Sequence, residues 1–132
     1  MRRQFVLPAE DMEWLEATGK PFELVAEGGA LRVVIQDWPV PPGYNVASVC
    51  ANVRIDPGYP DAQIDMVYFF PALALQSGRP IGSLAADQFD GKTWQRWSRH
   101  RTPANPWRPG TDNLSTHFAL ILEWLERETR KA

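Results

Sequence analysis

Cysteine is nearly absent from this chain. One thiol, Cys50, cannot close an intramolecular disulfide, and with two histidines the sequence lacks a tetrahedral zinc set. Disulfide scaffolds and zinc knuckles are excluded, and the reading assigns no metal and no other cofactor. Long hydrophobic runs are missing as well: nothing approaches the roughly 18 apolar residues of a membrane span. The opening Met1-Arg2-Arg3 leads into Glu10, Asp11 and Glu13 instead of the apolar core of a signal peptide. These features predict a cytoplasmic protein with no membrane partner. Charge of one sign is also lacking, since 14 basic and 16 acidic side chains give a net charge of -2. Such a balance argues against a surface built to coat nucleic acid. The Gly28-Gly29 pair precedes a strand-like run and no helix, so it makes no phosphate cradle.

What is present points to a packed domain with long, stiff connections. Twelve prolines in 132 residues is near twice the usual share of about 5%. Six tryptophans are many for this length, and an aromatic content of 11% with a charged content of 23% argues against disorder. The length suits one domain over residues 1–132.

The local pattern predicts an α+β order. Pro8 to Thr18 reads as a short helix, with proline in the first turn, acids after it, and Met12, Leu15 and Trp14 on the apolar stripe. Gly19 stops it. Phe22–Ala26 and Leu31–Ile35 read as a hairpin on Glu27-Gly28-Gly29. Pro39-Val40-Pro41-Pro42-Gly43-Tyr44 must be a loop, because proline has no amide to donate to a sheet. From Ala47 to Ile55 the residues alternate, with Ala47, Val49, Ala51, Val53 and Ile55 on one face and Ser48, Cys50, Asn52 and Arg54 on the other. Asp56–Pro60 is a turn, and Ile64–Phe70 a fourth strand. Residues 71–111 show five prolines and no sustained period, an irregular length that usually carries function. Thr111, Asp112 or Asn113 then caps a helix whose Leu114, Phe118, Ile121, Leu122 and Leu125 recur at helical spacing as far as Arg130.

The segment Asp90–Gly110 holds Lys92, Arg96, Arg99, Arg101 and Arg108, with no acid between the first and last, together with Trp94, Trp97 and Trp107. One reading is an anion-binding or partner-binding surface, with arginines clamping carboxylates and tryptophans as anchors; Asn105 lies in the same stretch. The other is a tryptophan-pinned loop with arginine stems packed over rings. Ser98 and His100 stand two apart, on one face of an extended chain, and a serine needs such a base to become a nucleophile. No acid orients His100 in the local sequence, so a structural hydrogen-bonding role competes with catalysis. His117, about one turn into the last helix, reads as a surface or capping residue. Cys50 reads as a quiet thiol on a strand.

The order of helix, four-strand antiparallel meander, Tyr59-Pro60 near the fourth strand, long irregular segment, Trp107-Arg108-Pro109 and helix resembles the ubiquitin-conjugating enzyme superfamily. More narrowly, GYPDAQIDMVYFFPAL and FDGKTWQRWSRHRTPANPWRPGTDNLSTH resemble the prokaryotic ubiquitin-conjugating-like family E, with the likeness running from Phe5 to Glu128. The resemblance implies a ubiquitin-conjugating-like fold and a place in a bacterial ubiquitin-like modification pathway. It implies as partners a ubiquitin-like protein, an adenylating activating enzyme and a JAB-type metalloprotease of the same pathway. It also implies structural roles for Tyr59, Pro60 and Pro109. In the superfamily a cysteine after the fourth strand takes the activated carboxyl terminus and passes it to a lysine amine, and a nearby His-Pro-Asn steadies the oxyanion.

The chain departs from that pattern twice. Pro71-Ala72-Leu73 stands where His-Pro-Asn would, and residues 71–111 contain no cysteine. Three readings follow. The first is a conjugating enzyme that uses a hydroxyl, with Ser98 and His100 as the catalytic pair. The second is an inactive adaptor that holds the ubiquitin-like protein or activating enzyme through Trp94, Trp97, Arg99, Arg101, Asn105 and Trp107. The third is a nucleic-acid-binding domain that shares only the fold, against which the charge balance speaks.

Overall fold

The computed structural model describes residues 1–131. Helix α1 (Ala9–Ala17) starts after Pro8, carries Glu10 and Asp11 in its first turn, and ends before Gly19 at φ 69°. Strands β1 (Phe22–Glu27) and β2 (Ala30–Pro39) form the expected hairpin. Gly28 and Gly29 take φ 57° and 81°, a pair of positive angles that matches the twist of the flanking strands. Strand β3 (Ser48–Ile55) follows the proline-rich loop, then come β4 (Val67–Phe70), β5 (Leu84–Phe89), β6 (Lys92–Trp97) and helix α2 (Leu114–Arg130).

The expected four-stranded meander is in fact a six-stranded antiparallel sheet, ordered β1-β2-β3-β4-β6-β5. The irregular reading of 71–111 is thereby corrected. Asp90 and Gly91, at φ 53° and 71°, turn a hairpin whose second strand pairs with β4. Strand β4 is also shorter than expected. Met66 at φ 60° interrupts the extended run that the sequence suggests from Ile64 onward.

The two faces of the sheet are covered differently. Leu24, Val33, Ile35, Ala51, Val53, Ile55, Val67, Phe69 and Trp97 share one core with Leu15 of α1 and with Leu114, Phe118, Ile121 and Leu125 of α2. On the opposite face Val25, Tyr68, Phe89 and Trp94 form a second, smaller core. Among the described residues no helix covers it; side chains draw the sheet's edges together instead. Arg32 of β2 reaches Asp87 of β5 at 3.0 Å, and Glu27 of β1 accepts from the Asp90 amide at 3.0 Å. Asn52, expected on a polar face, is therefore fully buried, and Cys50 half-buried.

Asn113 caps α2: its side chain accepts from the Thr116 amide at 3.2 Å while Thr116 Oγ1 accepts from the Asn113 amide at 2.9 Å. The helix hides Trp124 and turns Leu122 outward at 46% exposure, contrary to the expected stripe. Asp11, an acid buried in α1, accepts from Tyr59 Oη at 2.7 Å and from the Leu114 amide at 3.3 Å. It thus fixes one end of α2 to α1. Burial raises its pKa, and the two donors hold that rise down.

Candidate functional site

Two tryptophans of the basic segment, Trp94 and Trp97, are interior residues. Trp94 is 1% and Trp97 0% exposed, on opposite faces of β6, because they stand three positions apart in a strand of period two. Their indole N–H groups are occupied, Trp94 by the Phe89 carbonyl at 3.0 Å and Trp97 by Gln95 Oε1 at 2.9 Å. Trp107 is half-buried; it donates to the Pro60 carbonyl at 3.0 Å, and its ring lies 6.2 Å from that of Tyr59. Tyr59, Pro60 and Trp107 together pin the segment ahead of α2. Pro109 lies exposed in the turn closed by the Thr111 amide on the Arg108 carbonyl at 3.0 Å.

The arginines run over rings. Arg99 stacks 4.9 Å above Trp97, donates to the Gly82 carbonyl at 3.1 Å and stands 3.7 Å from Glu128. Arg101 lies 5.0 Å above Trp107 and 3.6 Å from Asp112, its side chain 6% exposed. Glu128 is 2% exposed, and Lys131, Arg99 and Arg79 surround it. Burial works against its ionisation, but these cations outweigh burial and hold its pKa below the ordinary value. Arg79 also donates to the Glu128 carbonyl, which ties the segment after β4 to the end of α2.

Ser98 and His100 are not joined to each other. The Ser98 amide donates to the Ser83 carbonyl at 3.0 Å. His100 instead turns its Nδ1 to the Asp65 carboxylate, at 3.0 and 2.9 Å, with 61% of its side chain exposed. Asp65 lies 35 residues earlier, just before β4, so the acid absent from the local sequence is supplied by the fold. A carboxylate only accepts, so Nδ1 carries the hydrogen, and in the neutral ring Nε2 is then the proton acceptor.

A backbone irregularity makes this contact. Past the last β4–β6 rung, Val67 with Trp97, the Met66 amide donates to Arg99 O at 3.2 Å instead of meeting Ser98. The extra residue acts as a bulge and re-aims His100 toward Asp65. Each member of the pair lines a cleft. One, of about 260 Å³, is lined by Arg54, Asp56, Gln63, Asp65 and Tyr68. The other, of about 440 Å³, has His100, Arg101, Thr102 and Asn105 on one wall and Glu123, Trp124 and Arg127 of α2 on the other.

Cys50 is poorly placed for thiolate chemistry. It stands opposite Phe70 in the sheet, and burial raises its pKa more than Lys92 lowers it. His117, expected at the surface, is 0% exposed, with Nε2 2.8 Å from the Met66 carbonyl. Burial depresses its pKa to about 4. Among the described residues no group of three His, Cys, Asp or Glu could hold a metal, and no helix is long and apolar enough to cross a membrane.

Asp65, Met66 and Arg127 belong to this site without any sequence motif to mark them, since each is brought in by pairing or helix packing. Comparison with curated proteins and with solved structures finds no significant match. The family described as Prokaryotic E2 family E matches residues 7–128. That span takes in α1, all six strands, α2 as far as Glu128 and the Asp65–His100 pair, and the chain belongs to this family.

Proposed function

We propose that the chain serves a ubiquitin-like modification pathway by receiving or positioning the activated carboxyl terminus of a ubiquitin-like protein beside Asp65 and His100, without carrying it as a thioester. Family membership supports the pathway, with the adenylating activating enzyme and the ubiquitin-like protein as partners and the JAB-type metalloprotease as a further component. The observation that carries the reading is the Asp65–His100 contact at 2.9 Å, which leaves Nε2 available as a base. The attacking hydroxyl or amine gives its proton to Nε2 as its oxygen or nitrogen bonds to the activated carbonyl carbon. The activating enzyme's group departs with the bonding electrons, and Asp65 steadies the imidazolium. Arg101 and Arg127 give the larger cleft cationic groups for the carbonyl oxygen of the activated chain end, which gains negative charge as the nucleophile adds. Ser98 is the candidate hydroxyl if the terminus is held covalently.

An adaptor reading, in which no bond to this chain forms, is favoured by one feature: the Ser98 hydroxyl makes no hydrogen bond to His100. Intact-mass measurement after reaction with activating enzyme, ATP and ubiquitin-like protein separates the two. A reductant-resistant adduct that Ser98→Ala abolishes assigns Ser98 as carrier. Absence of an adduct, with amine acceptor modification that His100→Gln slows about 100-fold or more, assigns positioning with base assistance. A reductant-sensitive adduct on Cys50 overturns the reading.

A further inference from the structure

We propose that His117, buried in α2, is a positioning residue that sets Asp65 against His100 by holding the backbone of Met66. The inference deepens the reading above and rests on its Asp65–His100 pair. His117 is 0% exposed, and its ring meets Trp124 edge-on at 5.6 Å. A carbonyl accepts only, so the 2.8 Å contact with Met66 O requires the hydrogen on Nε2. In the neutral ring Nδ1 is then a bare acceptor, and it has no partner among the described residues. The ring thus spends its one N–H on the backbone of residue 66.

That backbone needs holding. Met66 is a side-chain-bearing residue at φ 60°, a left-handed conformation that costs on the order of 1 kcal/mol or more. Two hydrogen bonds fix it: its amide donates to Arg99 O at 3.2 Å, and its carbonyl receives His117. The chemistry sits on either side of these contacts. Asp65 immediately precedes Met66, and His100 immediately follows Arg99. A relaxation of Met66 toward ordinary dihedrals swings the Asp65 carboxylate relative to His100, and contacts of 3.0 and 2.9 Å do not survive a shift of that kind. The bulge alone brings residue 99 to residue 66; His117 supplies the other half of the clamp from the helix.

The test reads the tautomer of each imidazole in the ¹⁵N-labelled full chain by long-range ¹H–¹⁵N correlation at mildly alkaline pH. Asp65, Arg101, Glu123 and Arg127 face or line the space around His100, and Arg101, Asp65 and Asp112 act on His117. The wild-type chain is expected to show Nε2–H at His117 and Nδ1–H at His100. His117→Phe keeps an aromatic ring against Trp124 but has no donor, and is expected to move His100 to the Nε2–H form that free imidazole prefers. His117→Gln restores a donor and is expected to restore Nδ1–H at His100. A residue that merely fills the core predicts no change in His100 for the phenylalanine variant, and that result overturns the proposal. An Nδ1–H tautomer at His117 in the wild-type chain also overturns it, and this reading needs no variant to fold. Asp65→Ala separates the two levels. If it leaves the His100 tautomer unchanged, the Asp65–His100 pair itself fails; if it moves His100 while His117→Phe does not, only the role of His117 falls.

Discussion

On the helix-covered face of the sheet, order comes from apolar packing: Trp97 stands edge-on to Phe69 at 5.5 Å, under residues of α2. On the opposite face, order comes from charge and from a hairpin. Arg2 bridges Glu23 and Asp90, and Arg32 lies between the rings of Tyr68 and Phe89, 4.4 and 4.6 Å away, while reaching Asp87. The difference teaches where chemistry has room. One face is sealed by hydrocarbon and the other by paired charges, and the proposed site lies past the end of the β4–β6 ladder, against the side of α2.

The sharpest way to break this contrast is to remove the pivot of the apolar face. Trp97→Ala should cost about 3–5 kcal/mol, the scale of a buried aromatic truncation, because the ring is fully buried between β4 and the helix layer. Urea denaturation measures it, and a loss under about 1 kcal/mol would show that the helix-covered core does not depend on β6.

Acid provides the next test on the same face. His117 has a folded pKa near 4 against an ordinary value of 6.5. Between those values the unfolded chain binds the proton that the folded chain refuses, so stability is complete above pH 6.5 and falls as pH drops toward 4. The expected loss is about 2–3 kcal/mol. Comparing unfolding free energies across this window in wild type and His117→Gln isolates it. An equal slope in both would assign the loss to the carboxylates: Glu23, Asp90 and Glu128, with lowered pKa values, also lose stability in acid, whereas Asp11, with a raised one, opposes that trend.

The contrast between faces also explains what could be read from sequence. Both helices, the Gly28-Gly29 hairpin and β3 are legible because their apolar period, capping groups and turn residues agree locally. The hairpin of β5 and β6 is not, although Asp90-Gly91 is a strong turn signal. Leu84–Phe89 has no clear alternation, and in Lys92–Trp97 the two tryptophans occupy opposite faces, so that both sides of the strand read as apolar. The alternation of β3 predicts a polar face, yet Asn52 on it is buried, on the face where the distant β5–β6 hairpin packs. At the site, His100 and Ser98 are visible as residue types, but Asp65 and His117 acquire their roles only through pairing of Met66 with Arg99 and packing of α2.

Asn52 sharpens the comparison further. It is fully buried, and neither Oδ1 nor Nδ2 has a partner among the described residues. Unpaired buried amide groups cost about 1–3 kcal/mol, so Asn52→Leu, similar in volume, should stabilise the fold by about 1 kcal/mol. A loss of stability in thermal or urea unfolding would mean that the charged face uses this amide, through solvent or a bound group.

The smallest effect belongs to the outer charges. Arg2 donates to Glu23 at 2.5 Å and to both Asp90 oxygens at 2.8 and 2.6 Å, and its hydrogen bonds pull the pKa of each acid down. Yet 38% of the arginine side chain is exposed. Water and salt screen such contacts, so the expected cost of Arg2→Ala is at most about 1 kcal/mol. It should shrink in high salt, and it should be felt only above the ordinary pKa range of the two acids, vanishing as pH falls through their lowered values. Unfolding with and without added salt checks this. A cost of about 3 kcal/mol, insensitive to salt, would mean that Arg2 closes the second face as firmly as Trp97 anchors the first, and the two faces would then differ in chemistry but not in strength.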